Sequence, residues 1–312
     1  MKLITYILAC IITLCSCGEV ELSTVELKQK FGAFGEDSLK TLPIDYSASP
    51  VSRTIQHNLE KYDFLNQVKS EKIAFISNGT FLTGAMVQPI AQGIYPCIII
   101  NHDLNDSTSK IDITTTVNML APLAAKGFVV VAYNQAGTGG SEGEFEITKH
   151  TQDLSKLISY VRNLEAVNPN NIGLLGINSG SYINYLSLQK NKSNVQAAIN
   201  ITGLSPTSLN LSSINNFYKK HLADANNDIG LQTTTFHNTP ILNMSSNNIE
   251  EYTTNTRNFY DKIHTPSIKT ENEHKLIQNR TLFSSNQSEV IDLIQFWFNT
   301  HLFPQPNIAL LK

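Results

Sequence analysis

Cysteine is scarce, and its distribution says more than its number. Of four cysteines, Cys10, Cys15 and Cys17 crowd into the first seventeen residues, and only Cys97 lies in the body of the chain. A lone cysteine closes no internal disulfide, and without a second thiolate there is no cysteine-based metal site. Cys97 belongs to the apolar run Cys97-Ile98-Ile99-Ile100, the setting of a small buried hydrophobe rather than a nucleophile. The eight histidines are scattered without ligand spacing, so neither a metal nor any other cofactor is expected. Charge is thin as well. Only 16% of residues are charged, the net charge is -3, and there is no run of lysine or arginine, which excludes a general attraction to nucleic acid. The glycine-rich stretch Gly137 to Gly143 lacks the lysine and the spacing of a phosphate-binding P-loop.

What is present is a globular composition. With 312 residues, 41% of them hydrophobic, the chain can form one large domain with a sizeable core plus an extension. The opening residues read as a targeting segment. Lys2 supplies the positive start, and Leu3 to Leu14 is an apolar stretch too short to span a bilayer comfortably. It ends in Leu14-Cys15-Ser16-Cys17-Gly18, which resembles the lipobox of bacterial lipoproteins, where small residues precede a cysteine that is diacylated and becomes the new N-terminus. The resemblance implies lipidation of Cys17, a membrane partner through that lipid, and a place in the bacterial cell envelope, on a periplasmic or surface face. An ordinary secretory signal is the alternative reading, and it too carries the chain out of the cytoplasm.

Residues 18 to 70 show few apolar periodicities and read as a tether with short packed helical pieces. From Glu71 to the end the pattern is strands and helices in turn, and this is taken as the main domain, 71–312. Lys72 to Ser77 and Thr80 to Val87 predict a hairpin closed by Asn78-Gly79. Pro96 to Asn101 and Phe128 to Tyr133 predict buried strands. Between them, Ile113, Val117, Leu120 and Ala124 fall at helical spacing, and Gly127 closes the helix. Leu154, Leu157, Ile158, Val161 and Leu164 mark a second helix. The turn Asn168 to Asn171 then leads into a strand from Ile172 to Ile177. Further strands are expected at Val195 to Ile201 and from Pro240 to Met244, with a polar stretch, 204–238, read as a small cap between them. A last helix starts at Ser288. Alternation of this kind implies a mainly parallel, doubly wound α/β sheet flanked by helices.

The order of motifs resembles the α/β-hydrolase superfamily, especially its dienelactone-hydrolase-like, serine-aminopeptidase-like and prolyl-oligopeptidase-like members. The resemblance covers roughly residues 71 to 303. It rests on Leu82-Thr83-Gly84, on Asn101-His102-Asp103 where the family usually has His-Gly, and on the loop Gly137-Thr138-Gly139-Gly140-Ser141-Glu142-Gly143. It rests above all on Gly173-Leu174-Leu175-Gly176-Ile177-Asn178-Ser179-Gly180, which lies where the nucleophile elbow Gly-x-Ser-x-Gly belongs.

With Gly176 and Gly180 as the flanking glycines, the residue at the tip is Asn178, not serine. Asparagine tolerates a positive φ, so the turn survives, but a neutral amide is a poor nucleophile. A register one residue later would make Ser179 the nucleophile at the cost of a β-branched isoleucine beside it. In the first register the N–H of Ser179 is one oxyanion donor, and the resemblance places the second near Asp103 or Leu104. The base position falls on His274, expected after the last short strand. The triad acid is harder to find. Pro240 to Ile249 has no carboxylate, nor is there one between Val195 and Ala223, and Glu250 and Glu251 are the nearest candidates. The expectation is a hydrolase-fold lipoprotein with a degenerate site and the old pocket kept for a small-molecule or peptide ligand. The alternative is an active ester or peptide hydrolase using Ser179 and His274.

Overall fold

The computed structural model describes residues 23–46, 59–103, 111, 115–190, 194–201, 239–246, 272–277 and 287–303, and for 272–277 it describes the backbone alone. Cys17, Leu104, the cap stretch 204–238, Glu250 and Glu251 lie outside the described residues.

The sheet grows outward from its most apolar strands. Strands β4 (Tyr95–Asn101) and β5 (Val129–Tyr133) are buried almost throughout, as strands covered on both faces must be. Alternate side chains feed two cores. Cys97, Ile99, Val129 and Val131 join Leu154, Leu157 and Val161 of α3 (Ile147–Val161) on one face. Ile98, Ile100 and Val130 pack on the other face against Leu120 and Leu123 at α2 (Ala121–Ala125), and against Ile294 and Phe298 of α5 (Gln287–Leu302). A π-helical turn, Thr116–Leu120, runs into α2, and Gly127, at φ 94°, ends that connection. Cys97 is fully buried and its thiol is pushed up by burial, so it stays protonated and inert.

Among the described residues nine strands form one sheet in the order β1-β2-β3-β5-β4-β6-β7-β8-β9. Strands β1 (Leu39–Pro43), β2 (Val68–Ser77) and β3 (Thr80–Pro89) are antiparallel to their neighbours. The rest of the sheet is parallel: β4, β5, β6 (Val167–Ile177), β7 (Ala197–Ile201), β8 (Ile241–Ser246) and β9 (Asn272–Ile277). The β2–β3 turn is Asn78-Gly79, both at positive φ (49° and 76°), as a two-residue hairpin of this type requires.

Two elements depart from the sequence expectation. The stretch Asn168 to Asn171, expected as a turn before β6, lies within that strand. Pairing passes from Tyr95↔Val167 to Cys97↔Ile172, so the extra residues bulge out of the ladder. The stretch read as a tether with short packed helical pieces carries, besides a helix, an edge strand that was not expected. Helix α1 (Thr24–Phe31) opens with a reciprocal capping box between Ser23 and Glu26. Its Leu27 and Phe31 pack against Ala74 and Phe81, and Lys28 Nζ lies 2.6 Å from Glu142 of the glycine loop. Helix α4 (Ser179–Lys190) follows β6 directly.

Candidate active site at the β6–α4 junction

Strand β6 ends at Ile177 and α4 begins at Ser179, leaving one residue to make the bend. That residue is Asn178. Its φ is 48°, and the only other non-glycine residue at positive φ among those described is Asn78 of the hairpin turn. The bend is tied at both ends: Asn178 N–H donates to the Ile201 carbonyl at 2.9 Å, and Ser181 N–H donates to the Asn178 carbonyl at 3.1 Å. The flanking glycines are steric necessities. A Cβ on Gly176 would lie 2.6 Å from Ser181 Cα and from Asn184 Nδ2, and one on Gly180 would run into the backbone carbonyl of Asn101. The register that puts Asn178 at the tip is therefore the one the backbone adopts. Ser179 is the first helical residue, and it is 4% exposed.

Asp103 closes over this bend. Its carboxylate accepts from Asn178 Nδ2 at 2.8 Å, from Ser179 Oγ at 3.0 Å and from Ser179 N–H at 3.4 Å. The loop after β4 was expected to contribute a hydrogen-bond donor for an oxyanion. Leu104, one of the two candidates, lies outside the described residues, and Asp103, the other, brings to the bend a carboxylate held by the Ser179 N–H that a developing oxyanion would need. The tip carries an amide with no removable proton of hydroxyl type, and the neighbouring hydroxyl is already spent on an acceptor.

The residue before Asp103, His102, is buried. His102 Nδ1 donates to the Asp103 carbonyl at 2.8 Å, and its Nε2 has no partner among the described residues. Burial pushes the His102 imidazole down to about 4, so it is neutral at physiological pH. His150, in the first turn of α3, is fully buried and likewise held below its usual value by burial, against the pull of Asp153 at 3.8 Å. Among the described residues no group of His, Cys, Asp and Glu side chains is placed to hold a metal ion.

The structure adds a feature that the sequence reading passed over. Asn101, Gly176, Asn200, Asn243 and His274 share one register row across β4, β6, β7, β8 and β9. The row is wired by buried amides: Asn101 Nδ2 donates to Asn184 Oδ1 at 2.7 Å, and Asn184 Nδ2 donates to Asn200 Oδ1 at 2.9 Å. Asn200 Nδ2 donates to Asn243 Oδ1 at 3.3 Å, which also accepts from Tyr185 at 2.6 Å. The signal was there to find, since each of the three strand asparagines interrupts an apolar run. His274 itself lies within β9, paired with Asn243, and not in a loop after the last strand. Glu250 and Glu251 lie outside the described residues.

Comparison with known proteins agrees with this architecture. The sequence profile of the X-Pro dipeptidyl-peptidase family (S15 family) matches residues 78–302. A Synechocystis protein named as a carboxymethylenebutenolidase is 26% identical over 137 residues, 38% of this chain, and the match spans 53% of that protein's own length. Among solved structures, a Rhizomucor miehei esterase superposes with a TM-score of 0.62 at 12% identity, covering 84% of this chain and 93% of its own. The Pyrococcus horikoshii acylaminoacyl peptidase does so with 0.61 at 18% identity, covering 82% of this chain and 46% of its own. At such identities the structural likeness establishes the fold, which is that of the α/β-hydrolases.

Proposed function

The chain belongs to the X-Pro dipeptidyl-peptidase (S15) family, and from that premise we propose that it is a lipid-anchored envelope protein whose hydrolase-type body has lost acyl transfer and keeps its pocket for binding. The observation that carries this reading is the positive φ at Asn178, with its amide engaged by Asp103. Acyl transfer needs a nucleophile at the bend and an empty, donor-lined space for the oxyanion. Here an amide takes the first place and a carboxylate the second. The absence of a carboxylate from Pro240 to Ile249 supports the same reading, because a triad base needs an acid to orient it. The Leu14-Cys15-Ser16-Cys17 order supports lipidation of Cys17, and on this reading the former active site is left to a small-molecule or peptide ligand.

The rival reading makes Ser179 the nucleophile and His274 the base. Burial of Ser179 and the bond from its hydroxyl to Asp103 both weigh against it. Turnover separates the two. Purified protein is expected to hydrolyse p-nitrophenyl esters and X-Pro p-nitroanilides no faster than the His274→Ala variant does. A clear rate in the parent that His274→Ala abolishes would establish the rival.

A further inference from the structure

We infer that, in the anchored protein, the edge of the sheet that carries the Asn178 bend faces the bilayer, with α1 and the glycine loop as the surface that meets phospholipid headgroups. This inference rests on the lipidation of Cys17 proposed above. It is carried by where the body begins and by how little chain lies before it. The described residues begin at Ser23, the cap of α1, six residues after Cys17. Six residues reach about 20 Å when fully extended.

Helix α1 is fixed to one particular edge of the sheet. Lys28 bonds Glu142 at 2.6 Å, and a Cβ on Gly140 would lie 2.8 Å from the Leu27 side chain. Both partners belong to the loop that follows the C-terminal end of β5, and the bend at Asn178 follows the C-terminal end of β6. Strands β3 and β6 are separated by β5 and β4, three spacings or about 14 Å along that edge.

The opposite edge offers a competing surface. There Ile90 and Ile94 are 59% and 71% exposed, the kind of apolar side chain that could meet lipid. Strand β4 separates the edges by seven residues, about 23 Å. A tether of about 20 Å is used up merely in running down that height. It leaves no length to pass around the end of a body roughly 50 Å across. Length therefore outweighs the exposed isoleucines. On the anchored side Val25, 64% exposed on α1, is the apolar group placed to touch the interface.

The test uses full-length protein, expressed in a host that processes lipoproteins and reconstituted into phosphatidylcholine–phosphatidylglycerol vesicles. Single cysteines at Glu144, on the glycine-loop edge, or at Ile94, on the far edge, carry a fluorophore, and the buried Cys97 stays silent. A label replacing Lys149 serves the first edge should Glu144→Cys fold poorly. Nitroxide on the lipid headgroups is expected to quench the Glu144 or Lys149 label at least about threefold more than the Ile94 label. Equal or stronger quenching at Ile94 in protein that floats with the vesicles would overturn the orientation and leave the anchor standing. Protein that neither incorporates palmitate nor floats would show that the lipid reading itself is wrong, and the orientation would fall with it.

Discussion

A side-chain amide tolerates the left-handed backbone of a sharp bend better than most groups, so Asn178 can hold φ 48° there without unmaking the turn, and on the proposed reading it stands where a nucleophile would. Asp103 adds a second obstacle. A like charge about 4 Å from a developing oxyanion costs about 4 kcal/mol at an effective dielectric constant near 20. That energy corresponds to a rate factor on the order of a thousand. Asn178→Ser alone is therefore expected to react with a fluorophosphonate no faster than the parent protein, whereas Asn178→Ser combined with Asp103→Gly reacts at least about tenfold faster. Indistinguishable rates for the single and double variants would show that the Asp103 carboxylate does not stand in the anion's way. The tip residue was legible in the sequence because two glycines bracket a fixed spacing. The grip of Asp103 on Asn178 and Ser179 was not, because residues 75 positions apart meet only once β4 and β6 are side by side.

At the scale of elements, periodicity identified the buried strands and the helices that cover them, since burial on two faces or one leaves its mark on composition. It failed for α1 and β1. Their burial is partial, and a strand of Leu39-Lys40-Thr41-Leu42-Pro43 carries almost no alternation. It failed also within β6, where a polar bulge imitates a turn. The asparagine row shows what periodicity does not see at all. Asn184 on α4 accepts from Asn101 and donates to Asn200, so it joins two strands to the helix that the bend launches. Asn184→Ala would leave the Asn101 amide and the Asn200 carbonyl without partners in a dry interior. At about 1–3 kcal/mol for each of the two stranded groups, the expected loss is about 2–6 kcal/mol. The exposed Asn163→Ala, which removes only a bond to the Ser159 carbonyl, is expected to cost no more than about 0.5 kcal/mol. Urea midpoints check both. Equal, small losses would mean that the row is decoration rather than support.

For the molecule as a whole, the superfamily was readable because its motifs recur in a fixed order along the chain, and the sheet order and the family match agree with it. The base position was less readable. A histidine between polar residues gives no periodic signal, and His274 turns out to share a register row with the buried amides of β4, β7 and β8. The molecule that results keeps the scaffold of a hydrolase around a bend with no hydroxyl at its tip. Intact-mass spectrometry after prolonged exposure of the parent protein to a fluorophosphonate tests that claim most directly. The account predicts an unchanged mass. One added phosphonyl group per chain, mapped to Ser179 and lost in His274→Ala, would contradict it.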